Sequence, residues 1–99
     1  MITHSQCRAA RALTEITCDM LAERSGVDAA SIADFERKLV ELDDTSVEKL
    51  QMALESFGAL FIPENGGGIG VRLKFTQSES RRLQSLENEG GNAGDDEVP

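Results

Sequence analysis

Apolar residues recur at helical three- and four-residue steps up to about position 57, and at alternate positions from Val71 to Phe75. Thr3-x-x-Gln6 has the spacing of a capping box and predicts a first helix from His4 to about Thr14. Cys7, Ala10 and Leu13 form its expected inner face, with Arg8 and Arg11 on a neighbouring strip. Arg8 is open between a phosphate contact and a solvated charge. Ile16 is the expected apolar closure of the turn that follows. Thr17 is placed to cap a second helix with Leu21 and Ala22 behind it, and Gly26 is placed to end it in the left-handed conformation. Val27, Asp28 and Ile32 have the spacing of a hydrophobic staple around an N-cap, which predicts a third helix at a defined entry angle. Ile32 and Phe35, three apart, are its expected buried pair.

Beyond this pair, Leu39-Val40-Glu41-Leu42-Asp43-Asp44 is an irregular linker with three large aliphatics. Two readings stay open for it: aliphatics folded back on the core, or an apolar patch for another protein. Thr45-x-x-Glu48 is a second capping box that predicts a helix carrying Val47, Leu50, Leu54 and Phe57 on one stripe, stopped by Gly58. From Ala59 to Phe75, an apolar segment, a Pro-Glu-Asn-Gly-Gly-Gly turn and an alternating strand predict a β-hairpin. A lone hairpin is only marginally stable. It must therefore pack on the helices or pair with the hairpin of a second subunit through Phe61, Val71, Leu73 and Phe75. The glycines do not make a phosphate loop, since no Lys-Ser/Thr or helix follows. Thr76-x-x-Glu79 predicts a weak helix within 76–89, with Leu83 and Leu86 its only large apolar residues. The acidic, glycine-rich residues 90–99 have almost nothing to bury and are expected to be disordered.

The stretch L-A-E-R-S-G-V-x-x-x-S-I-A-D-F-E-R, from Leu21 to Arg37, resembles the Cro/repressor-type (xenobiotic response element) helix-turn-helix family, over about Cys7 to Phe57. The resemblance implies a mainly α fold, a four- to five-helix repressor-like bundle, here followed by the hairpin to complete a domain over residues 1–75. It also implies a cytoplasmic, dimeric transcription regulator with double-stranded DNA as its partner, and an ion pair between Arg11 and Glu36. The DNA-facing set that it implies is Thr17, Cys18, Asp28, Ala29, Ala30, Ser31, Asp34, Arg37 and Lys38. Where family members commonly carry a phosphate-touching Gln, this chain has Cys18. Where they continue into a Gly-Lys-Arg-like loop, it has Lys38-Leu39-Val40-Glu41.

Charge changes this picture. The 99 residues carry 10 basic and 18 acidic side chains, net −8, and residues 17–44 alone hold 3 basic and 8 acidic, net −5. Non-specific DNA affinity comes mostly from phosphate neutralisation, so an acidic motif loses that background attraction. An enzyme is not expected: the one histidine, His4, sits at the expected frayed start of the chain, without a paired acid and base or a cofactor fingerprint. Cys7 and Cys18 are expected to be free thiols, too few and too separated for a metal site; no cofactor or membrane association is expected. Two functions follow. The first is a DNA-binding regulator reading two half-sites about one helical turn apart. The second is an antiactivator or modulator that keeps the fold and binds another transcription factor through Leu39, Val40 and Leu42.

Overall fold

A computed structural model of the chain describes residues 1–75. The expected helix within 76–89 and the tail 90–99 lie outside the described residues. Four helices, α1 (His4–Thr14), α2 (Cys18–Ser25), α3 (Ala29–Glu36) and α4 (Asp44–Ser56), precede an antiparallel hairpin of β1 (Ala59–Ile62) and β2 (Gly70–Leu73).

The starts of three helices follow from their cap residues. In α1 the Thr3 hydroxyl accepts from the Gln6 amide while the Gln6 side chain accepts from the Thr3 amide, so both halves of the capping box are present. The Thr17 hydroxyl accepts from Met20 at the head of α2. The Asp28 carboxylate accepts from Ala30 and Ser31 at the head of α3. These bonds satisfy amides that a helix start would otherwise leave open. Gly26, at φ 82, ends α2 in the left-handed region as expected. Helix α4 departs from expectation: it starts at Asp44 with Asp43 in the cap position, and Thr45 lies inside the first turn. The carboxylate of Asp44 in that first turn suits the positive end of the helix.

Leu21, Ile32, Leu50 and Leu54 are fully enclosed at the centre, joined by Cys7, Ala10, Ile16, Val27, Phe35, Val47, Ala53 and Ala59. The staple therefore closes, with Val27 and Ile32 both in the core. Leu13 does not join them and is 41% exposed. At 3.6 residues per turn the stripe through Gln6, Cys7 and Ala10 continues to Thr14, which leaves Leu13 at its edge.

The hairpin packs on its own helices. Phe61 and Val71, opposite one another in the ladder, rest against the core. Gln6, buried although polar, donates from Nε2 to the carbonyls of Gly70 (2.8 Å) and Ile62 (3.4 Å) and so holds the turn end of the hairpin to α1. At the other end the Lys74 amide donates to the Gly58 carbonyl. Phe75 lies past β2 and is 40% exposed, so the expected strand alternation stops at Leu73.

Candidate nucleic-acid interface

Helix α3 is held from behind by one face of α1. Arg11 lies one helical turn from Cys7 and points across to the end of α3. Its Nε and Nη2 each reach a different carboxylate oxygen of Glu36 at 2.9 Å, while Nη1 donates to the Ile16 carbonyl. Glu36 is 4% exposed, so this fork is what makes a charge tolerable there. Hydrogen bonding to Glu36 pushes the Arg11 pKa still further up.

Two further residues of α1 act on the same helix end. The His4 ring lies against the Phe35 ring, with Nδ1 2.7 Å from the Phe35 carbonyl and Nε2 3.5 Å from the Glu41 carboxylate. His4 is half-buried and tied down, contrary to the frayed position expected for it. Arg8 Nη1 donates to the Glu36 carbonyl at 3.4 Å, a use that neither of its expected roles included. His4, Arg8 and Arg11 thus meet the Phe35 and Glu36 carbonyls and the last carboxylate of α3. The spacing i, i+4, i+7 in a helix was the available signal for this strip; its target was not visible without α3 in place.

With Ile32, Phe35 and Glu36 turned inward, the opposite side of α3 carries Ala30, Asp34 and Arg37. Ala30 and Arg37 are exposed, and Ala29, Ser31 and Asp34 are partly so. The Asp28 carboxylate is committed to its cap bonds. Thr17 is exposed but its hydroxyl is the α2 cap. Cys18 is half-buried, packed against the core, with its thiol pKa raised first by burial. It offers little to a phosphate.

The chain leaves α3 through a tight reversal. Lys38 takes φ 64, its amide donates to the Phe35 carbonyl, and the Leu39 amide donates to the Asp34 carbonyl. This is the paired bonding of a Schellman cap with lysine where glycine is usual. Lys38 itself is exposed. Of the linker aliphatics only Leu42 folds back on the core; Leu39 is 66% exposed and Val40 37%. The expected interface set of the hairpin divides similarly. Phe61 and Val71 are engaged with the core, Leu73 is half-buried, and Phe75 is open.

Both cysteines are free. Cys7 is sealed beside Glu36, and burial, then the Glu36 carboxylate, push its thiol pKa up to about 12. Among the described residues no group of three His, Cys, Asp or Glu side chains is placed to hold a metal ion, and no helix is long and apolar enough to cross a membrane. A shallow hollow of about 440 Å³ lies between Met1, Ile2, Phe61, Pro63 and Ile69, lined mainly by apolar side chains. No family model matches the chain, and no curated protein matches it.

Proposed function

We propose that the protein is a DNA-binding transcription regulator of helix-turn-helix type, a repressor-like bundle acting as a homodimer, with α3 as the helix that enters the major groove. The observation that carries this reading is the way α3 is held. Its inner side is fixed by Ile32, Phe35 and the Arg11–Glu36 fork, while its outer side, Ala30, Asp34 and Arg37, is left without a protein partner among the described residues. A rigid helix with a free outer face is what groove insertion requires. Arg37 and Lys38, exposed at its end, supply the phosphate contacts. Ala29 and Ala30 offer methyl contacts to thymine, and Ser31 a hydroxyl. The acidic balance makes binding weak on arbitrary sequence and favours readout of base edges and DNA shape over charge. Titration of the labelled full chain with random and genomic duplexes at low salt tests the proposal; no binding to either pool removes it.

A second reading rests on Leu39 and Val40. Two exposed aliphatics beside the end of α3 suit an apolar contact with another transcription factor. On that reading Leu39→Ser or Val40→Ser abolishes partner binding, while Arg37→Ala and Lys38→Ala have little effect.

A further inference from the structure

Helix α3 and its cap carry three acidic side chains, and two of them are already used. Asp28 caps the helix through Ala30 and Ser31, and Glu36 is gripped by Arg11. Asp34 alone makes no side-chain hydrogen bond or ion pair among the described residues. It is partly exposed on the outer side of the helix. Around a helix of 3.6 residues per turn, Asp34 falls opposite the centre of the buried trio Ile32, Phe35 and Glu36, one turn after Ala30. The helix thus points a methyl and then an unpaired carboxylate outward, with the first cation only at Arg37, beyond its last turn.

From this arrangement we infer that Asp34 is a specificity-determining residue that selects cytosine in the DNA site; the inference rests on the DNA-binding reading above. An ionised carboxylate only accepts hydrogen bonds. In the major groove guanine presents two acceptors, N7 and O6, and thymine presents the O4 acceptor, so both repel it. Adenine places its N7 acceptor beside its amino group. Cytosine presents the N4 amino donor and no acceptor, which makes it the one edge that meets a carboxylate without a penalty. Ala30, about 6 Å earlier along the helix axis at 1.5 Å per residue, sets a methyl roughly two base steps away, suited to a thymine methyl group. The same negative charge weakens attraction to phosphates everywhere, so Asp34 trades background affinity for discrimination.

The test is selection from randomised duplexes with the full chain, and with Asp34→Ala and Asp34→Asn in the same chain. Both substitutions are on the outer face and leave the core untouched. The wild-type chain is expected to enrich cytosine at one fixed position of each half-site. Replacing that cytosine by guanine weakens binding roughly tenfold or more, the range of one good base contact. Asp34→Ala loses the preference at that position alone. Asp34→Asn, which both donates and accepts, moves it toward adenine. Retention of cytosine by Asp34→Ala, or an equal rise in affinity for every duplex, overturns the inference and leaves DNA binding standing. Enrichment of no sequence by any of the three chains overturns both.

Discussion

Arg11 and Glu36, 25 positions apart, are joined by two parallel hydrogen bonds of 2.9 Å that tie the first helix to the end of the third. Glu36 is the more deeply buried partner, so removing Arg11 strands a carboxylate in the core. Arg11→Ala is expected to destabilise the fold by about 3 kcal/mol or more. Arg11→Lys rescues little, because an ammonium cannot reproduce the fork. The double variant Arg11→Met with Glu36→Leu recovers most of the loss. Urea denaturation of the four chains measures this, and an Arg11→Ala chain as stable as wild type contradicts it.

Lys38 separates stability from binding. At φ 64 a lysine side chain is held in a region that costs a residue with a Cβ about 1 kcal/mol, and glycine avoids that cost. Lys38→Gly is therefore expected to raise the melting temperature. If the ammonium also touches a phosphate, the same substitution lowers the slope of log affinity against log salt by about 0.9. A more stable chain with an unchanged slope places Lys38 in the cap only.

Most of this architecture was legible in the sequence, because its signals were local. Thr3, Thr17 and Asp28 announce helix starts within three residues of their targets, and Gly26 announces an end. What escaped were long-range uses of polar side chains. Gln6 is half of a capping box by its spacing, yet its amide also holds two hairpin carbonyls more than 50 positions away. His4 and Arg8 reach the end of α3 some 30 positions on. No periodicity encodes such contacts. Leu13 misled for a different reason: a step of three from Ala10 fitted the pattern, but the stripe continued by a step of four. The Arg11–Glu36 pair was expected from family resemblance alone. The base-reading role proposed for α3 has no internal partner in the fold to reveal it.

Gln6 is the place to loosen the hairpin without touching the core aliphatics. Gln6→Ala removes the reciprocal half of the α1 cap and both hairpin bonds, and the expected loss is about 2 kcal/mol. Amide exchange should accelerate more at Ile62 and Gly70 than at Leu50 or Leu54. Uniform acceleration across all four positions would mean that the hairpin and the helices open as one unit.

The two thiols should behave differently. Cys7 is sealed, with its pKa raised from 9.0 to about 12, whereas Cys18 is half-buried. At pH 8 a disulfide reagent is expected to modify Cys18 first, and Cys7 only as fast as the fold opens. A raised folded-state pKa means that the native state holds its proton longer than the unfolded chain does. The Cys7 contribution is therefore fully present below about pH 9 and declines as pH rises toward about 12, by roughly 1.4 kcal/mol per pH unit. The difference in stability between wild type and Cys7→Ala across that window isolates the effect. A difference that stays constant with pH contradicts it.

The central claim is that the outer face of α3 meets DNA. Its most direct test is the chemical-shift change along residues 28–38 of the labelled full chain on adding duplex fragments at about 50 mM salt, where phosphate contacts are strong. The expected result is a contiguous set of shifts at Ala29, Ala30, Asp34, Arg37 and Lys38, with Ile32 and Phe35 moving less because they face the core. Silence of those residues across a broad duplex pool contradicts DNA binding and leaves the exposed Leu39 and Val40, and a protein partner, as the reading that stands.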